Sequence, residues 1–434
     1  MSKLAKTLTL KDVVSLTIGS IVGSGLLILP GMAYQAAGPD ALLAWVVMVI
    51  FIIPLVYVFG DMSAKYPSAG GIAGFAQIAF GGGAARAMAC LMAGTFPVGI
   101  PALAIIGANY FAYALGLDFT ATLVTAFCIL AFVTAVHLRG SKFGSGFQNS
   151  TALLLTLLLV TVSLLVLPRS LVAGSALQFT YQPALIWGSM GLLFWAFTGW
   201  ENMSFTSEEF ANPKRDFPIG LAVSFVLISV LYLLLSFNVV SLLDRHNAMT
   251  VQAPLAEIMR VAFGTTAGLV VAGLGLLIIL VNASAWVWGG SRLLFGGARE
   301  GFLPSYFNHL HRLSGAPDRA LVGLLAAYGL VIFLVGFFQI PLSLLIMIVN
   351  VNLLIGYIVS IAAFIKINRR SPGKAVLGII SLLLCLTFMA VFSYAILYAL
   401  FLIVLPLALE KFKQKTAGKR AEDRQGDFKQ NKES

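Results

Sequence analysis

Two short stretches of this sequence concentrate residues that can do chemistry within an otherwise apolar chain. Gly19-Ser20-Ile21-Val22-Gly23-Ser24-Gly25 sets three glycines and two serines side by side, and Phe197-Thr198-Gly199-Trp200-Glu201-Asn202 sets a carboxyl beside a glycine. A glycine costs a helix about 1 kcal/mol relative to alanine, so both stretches are read as helix breaks. A break frees carbonyls at the end of one half-helix and amides, with a positive dipole end, at the start of the next. In the first stretch the carbonyls lie near Ile21 and the amides begin near Gly23. In the second, carbonyls are expected near Trp195 and Thr198. Amides suit a carboxylate and carbonyls suit an ammonium group. Together they match the two ends of a zwitterionic α-amino acid without any charged side chain. For Gly23-Ser24-Gly25 alone, close helix packing through small residues is an equal reading.

Glu201 is the other chemical signal. Of the 17 acids, it alone is placed deep in an apolar run. Asp12, Asp40, Asp61, Asp118, Asp216, Asp244, Glu257, Glu300, Asp318 and Glu410 fall in loops or at span ends, Glu208 and Glu209 near the end of the sixth run, and the remainder in the tail. A carboxyl within a membrane is costly and is a functional hypothesis by default. It can carry a proton, or serve as a neutral acid bonded to freed backbone. Trp195, Trp200, Trp286, Phe194 and Phe197 can wall a pocket or simply pack. Asn202, Asn282, Asn350 and Asn352 can line a path or bond between helices. His137 stands at a span end, and His309 and His311 are read as solvated. Cys90, Cys128 and Cys385 lie far apart in apolar runs, as small buried hydrophobes do. The sequence carries no metal spacing, phosphate loop, nucleophile elbow or catalytic triad, so no cofactor and no enzymatic reaction are expected.

These residues need elements to hold them. The chain has 434 residues, 59% of them hydrophobic and 10% charged. Soluble domains are about 25% charged, so a soluble enzyme or a disordered chain is excluded. The net charge of +11 fits basic loops facing anionic lipid better than a nucleic-acid surface. Apolar runs of membrane-spanning length fall at 12–36, 41–60, 88–115, 120–137, 149–168, 184–206, 219–243, 267–290, 320–338, 342–365, 375–391 and 394–409. Residues Gly70 to Phe80 read as an amphipathic start of the third helix. With the N-terminus in the cytoplasm, all but three of the 28 lysines and arginines lie inside, the exceptions being Arg169, Arg245 and Arg260. This asymmetry predicts twelve spans with both termini cytoplasmic. The breaks fall in the first and sixth spans, an odd offset that makes them antiparallel, as in inverted-repeat transporters. The predicted organisation is residues 1–168 for the N-terminus and a first five-helix repeat, 184–366 for an inverted second repeat, 374–409 for two added helices, and 411–434 for a charged tail.

Several motifs jointly resemble the amino acid–polyamine–organocation (APC) transporter superfamily over roughly residues 10–410. They are Gly19 to Gly25, Tyr66-Pro67-Ser68-Ala69-Gly70-Gly71, Phe194 to Glu201 with Glu209 and Asn212-Pro213-Lys214-Arg215, and Ser291-Arg292-Leu293 through Arg299-Glu300-Gly301-Phe302-Leu303-Pro304. Phe96-Pro97-Val98-Gly99-Ile100-Pro101 and Asp216-Phe217-Pro218 resemble most the branch that exports L-methionine and branched-chain amino acids from bacteria. The resemblance implies an all-α membrane fold with a 5+5 inverted-repeat (LeuT-like) core. It implies that Gly23, Ser24 and Gly25 hold the substrate carboxylate and that the carbonyls of Ile21, Trp195 and Thr198 hold the α-amino group. Trp195 and Glu201 match gate positions, and Trp286 matches an aromatic against the substrate side chain. Some proton-coupled relatives carry a lysine in the fifth span, and residues 149–168 have none. No acid besides Glu201 accompanies the pocket positions, which favours a neutral, apolar side chain. The implied activity is secondary active export of methionine, leucine, isoleucine and valine across the bacterial inner membrane, with protons as a coupling partner. An importer or exchanger of the same fold is the alternative, and a channel a more distant one.

Overall fold

The computed structural model describes the backbone of residues 8–67, 70–392, 395–404 and 406–408, and their side chains except at 141–153, 155 and 248. Lys3, Lys6, Ser68, Ala69 and the tail 411–434, all used in the sequence reading, lie outside the described residues. Among the described residues the fold is all-helical, with one isolated parallel bridge between Leu8 and Phe210.

The helices run in chain order as α1 (Leu10–Ile21), α2 (Ser24–Ala37), α3 (Ala41–Lys65), α4 (Ile72–Phe80), α5 (Gly82–Leu115), α6 (Phe119–Leu138), α7 (Ser141–Gly174) and α8 (Pro183–Leu193). They continue as α9 (Trp200–Thr206), α10 (Pro213–Leu242), α11 (Ala248–Gln252), α12 (Pro254–Phe263), α13 (Thr265–Arg299), α14 (Asp318–Phe338), α15 (Leu342–Ile367) and α16 (Pro372–Phe388). A shorter apolar helix follows at Ile396–Ala408. Nine segments among the described residues are long and apolar enough to cross a membrane, with α2 and α3 taken as one. The stretch expected to begin the third helix is instead a separate helix, α4, set off from α5 by Gly81. An apolar face alone cannot reveal that interruption.

Local chemistry fixes the ends. Thr9 and Asp12 cap α1, the Thr9 amide donating to Asp12 Oδ2 at 2.8 Å. Asp118 accepts from the Ala121 amide at 2.7 Å and caps α6. Pro213 and Pro372 open α10 and α16, where a missing N–H costs nothing. The long helices α5 and α13 lie along each other at the centre. Against them sit the most deeply buried pieces of the chain, the end of α1, the start of α2 and all of α9. On the periphery, α10 turns Ile219, Val223, Val226 and Val230 outward, an apolar face suited to lipid tails.

Arg292, expected in a loop, is buried within α13 and pairs with Glu209 at 3.2 Å. Arg299 pairs with Glu208 at 2.8 Å. Beside these pairs, Leu8 donates to the Glu209 carbonyl at 2.9 Å and accepts from the Ala211 amide at 3.0 Å. Burial is therefore not unique to Glu201. Asp40, Glu209 and Glu257 are also buried, each with hydrogen-bond partners. His309, read as solvated, meets Asp318 at 2.7 Å.

Candidate functional site

The two breaks fall where glycine disrupts the helical pattern. The first comprises Val22 and Gly23, between α1 and α2. The second runs through a 3-10 turn, Phe194–Phe197, then Thr198 and Gly199, before α9 starts at Trp200. The breaks lie in direct contact. A Cβ on Gly25 would lie 2.9 Å from Ala196 Cα, and one on Gly199 would lie 2.6 Å from Ile21 Cγ1. Gly199 also has φ +128°, a conformation other residues rarely adopt. Glycine is needed there on both counts.

The freed backbone groups at the first break have protein partners. Asn282 Nδ2 donates to the carbonyls of Gly19 and Ser20 at 2.8 and 2.9 Å. Trp286 Nε1 donates to the Ser20 carbonyl at 2.8 Å. The Tyr232 hydroxyl lies 2.8 Å from the carbonyls of both Ile21 and Ala196, one on each break. The Ser24 amide donates to Asn282 Oδ1 at 3.3 Å. The Ile21 carbonyl is thus not bare, as the sequence suggested, because a tyrosine from α10 reaches it. The amides of Gly25 and Leu26 belong to the first turn of α2 and have no carbonyl four residues back within that helix.

The second break is closed largely by its own residues. The Trp195 carbonyl accepts from the Thr198 hydroxyl at 2.8 Å and the Thr198 amide at 3.2 Å. The Gly199 amide donates to Glu201 Oε2 at 3.0 Å. The Tyr357 hydroxyl of α15 donates to the same oxygen. Glu201 Oε1 is buried with no hydrogen-bond partner among the described residues. Asn202 Nδ2 donates to Ser20 Oγ at 2.8 Å and to the Ala285 carbonyl at 2.9 Å, tying α9 to α1 and α13.

A narrow cavity with about 20 Å³ open to solvent lies against the crossing, room for about one water. Ser20, Ile21, Ser24, Trp195, Thr198 and Trp286 form its mixed polar and aromatic side. Trp195 Nε1 donates to Ser24 Oγ at 3.0 Å across it. Residues of α5 and α15 supply the other side, chiefly Gly99, Ile100, Leu103 and Val349. Trp286 packs edge-on to Phe96 at 5.6 Å. Thr95 also faces the cavity, held by Asn352 Nδ2 at 3.0 Å.

Five sequence-predicted positions, Ile21, Ser24, Trp195, Thr198 and Trp286, are therefore brought together on one cavity. Gly23 and Gly25 lie instead at backbone crossings, Gly23 against the Asn282 side chain and Gly25 against Ala196. Glu201 lies below the break, at the start of α9. Sequence reasoning missed Tyr232, Tyr357, Thr95 and Val349. A phenol within an apolar run was the one available signal for the tyrosines. Pro97 and Pro101 flanking Gly99 marked the wall on α5.

Residues 8–415 match the amino acid permease family. The chain is similar to the uncharacterized amino acid permease YecA of Bacillus subtilis, at 31% identity over 86% of this chain and 88% of the relative. It is similar to the L-methionine/branched-chain amino acid exporter YjeH of Escherichia coli, at 28% identity over 93% of this chain and 96% of the relative. It is also similar to the methylthioribose transporter of Bacillus subtilis, at 25% identity over 89% of this chain and 88% of the relative. All three are named as permeases or transporters, not enzymes. The chain is a multi-pass membrane protein of the amino acid permease family, within the APC superfamily.

Proposed function

We propose that the protein is a secondary carrier that exports neutral, hydrophobic amino acids, methionine and the branched-chain amino acids among them. The observation that carries this reading is the two-sided cavity at the crossing of two broken helices. In this reading the amides at the start of α2, beside the cavity residue Ser24, take a carboxylate, and the Ile21 and Thr198 carbonyls take an ammonium group. The far side of the cavity, from Gly99 to Val349, is apolar and suits an aliphatic or thioether side chain. Among the described residues no carboxylate lines the cavity, which disfavours a cationic substrate. The similarity to the E. coli exporter supports the same substrate class.

In this reading the chain has twelve spans, a 5+5 inverted repeat and cytoplasmic termini in the inner membrane. The site opens to each side in turn as one group of helices rocks against the other. The Glu208–Arg299 and Glu209–Arg292 pairs then close the cytoplasmic side. Glu201, which bonds Gly199 and Tyr357, is the proton-responsive gate group.

Counterflow of labelled methionine and leucine into liposomes tests the reading. A Cβ at Gly99 would sit 3.3 Å from Val349 Cγ2, so Gly99→Leu fills the cavity while leaving the breaks intact. Counterflow should fall by about tenfold or more, the effect of losing roughly 1.4 kcal/mol of binding. Wild-type counterflow in Gly99→Leu would remove this cavity from the transport path. Relief of methionine-dipeptide toxicity in cells would support export; increased sensitivity would support import.

A further inference from the structure

Asn282 does something at the first break that no other side chain there does. It donates to the last carbonyls of α1 through Nδ2 and accepts from the first amide of α2 through Oδ1. One amide group thus joins both open ends of the broken helix. Among the described residues, the other buried asparagines, Asn202, Asn238, Asn350 and Asn352, each leave Oδ1 without a partner. Of these buried asparagines Asn282 alone is satisfied at both ends. The orientation is set by chemistry, since a reversed amide would point its oxygen at two carbonyl oxygens. Gly23 is part of the same arrangement, because any Cβ there would overlap the Asn282 side chain.

The carbonyl end of a half-helix carries partial negative charge, and freed carbonyls at such breaks are natural ligands for a small cation. Here the Asn282 amide hydrogens occupy the space before the Gly19 and Ser20 carbonyls. Trp286 takes a further acceptor site on Ser20. We infer that Asn282 is a built-in neutral substitute for a cation at the first break, a positioning residue that holds the break in shape so that the cycle needs no sodium ion there. The inference rests on the transport reading for its activity measurements, and stands apart from it for its stability measurements.

Two variants separate this role from ordinary packing. Asn282→Asp keeps the shape but turns the donor into a carboxylate oxygen facing two carbonyls. A cation or a proton must then bridge them. Asn282→Ala removes the bridge. The unfolding midpoint of purified wild-type protein should be the same in sodium chloride and in choline chloride. The Asn282→Asp midpoint should be lower than wild type in choline chloride and should rise with sodium chloride or with acid. Counterflow of methionine by the wild type should be equal in the two salts. Asn282→Ala, which loses all three of these buried hydrogen bonds, should lose about tenfold or more in maximal rate. The inference is overturned by selective sodium stabilisation or stimulation of the wild type, or by Asn282→Asp that ignores both sodium and acid. Wild-type transport by Asn282→Ala also overturns it. If that variant does not fold, the wild type in two salts and Asn282→Asp still decide the matter. If the wild type shows no counterflow at all, the transport reading fails and the stability measurements judge the amide alone.

Discussion

The two helix breaks solve one problem in opposite ways. Both free backbone groups in the interior, where each unpaired group is costly. The first break is short, and most of its partners come from other helices: Asn282 and Trp286 from α13, Tyr232 from α10. The second is longer and relies mainly on its own neighbours, with Thr198 on Trp195 and Glu201 on Gly199. Tyr357 and Tyr232 each add a contact from outside. Every bond the first break receives from these three side chains is made by a group that stays neutral across ordinary pH. The second contains a carboxyl. The first break is therefore held by tertiary packing, while the second is held more by its own residues and contains a group that can ionise.

Substitutions can break or sharpen this contrast. The largest effect is expected from Gly199→Ala, which meets both a positive φ and the Ile21 side chain. A loss of about 3 kcal/mol or more is expected from strain and overpacking together, read as a collapse of the monodisperse peak in size-exclusion chromatography. A stable Gly199→Ala protein would show that the second break can relax away from the first. Next is Tyr232→Phe, which removes a hydroxyl that lies against a backbone carbonyl of each break. It should cost about 1–2 kcal/mol in thermal unfolding, and a smaller loss would mean that the breaks do not depend on this shared partner. Thr198→Val deletes a bond within the second break only and should cost about 1 kcal/mol. A loss larger than that of Tyr232→Phe would reverse the ranking. Glu201→Gln should change stability least, because an amide can still accept from Gly199 and Tyr357. Its effect should appear in the pH profile of counterflow, which should flatten. An unchanged profile would make the second break as indifferent to protons as the first.

Much of this was legible in the residues. Clustered glycines marked the first break and Gly199 the second to within a few positions, and the rarity of deep acids singled out Glu201. What sequence could not supply was the partner of each freed group. Tyr232 and Tyr357 lie in apolar helices far away in the chain, and an aromatic there looks like packing until its hydroxyl is placed. Asn282 was visible as a polar residue in a span, but not as a bridge, because its role depends on two helix ends meeting it in space. Burial misled in one respect: Arg292 and Glu209 are as hidden as Glu201, paired at the end of the protein where sequence placed loops. The independence of α4 also escaped notice, since a nine-residue apolar helix carries the same face as the helix it precedes.

The direct contact of the two breaks through Gly25, Ala196 and Gly199 has a consequence for how such a protein can change. Gly25 and Gly199 admit no side chain without displacing Ala196 or Ile21, so the crossing is closed to gradual variation. The apolar wall is built from different helices, α5 and α15, and there Gly99 and Val349 present side-chain space rather than backbone. On the proposed transport reading, the crossing and the wall that meets the cargo are thus separable. A lineage could then exchange one wall residue for another and alter what it carries, while the crossing stays as it is.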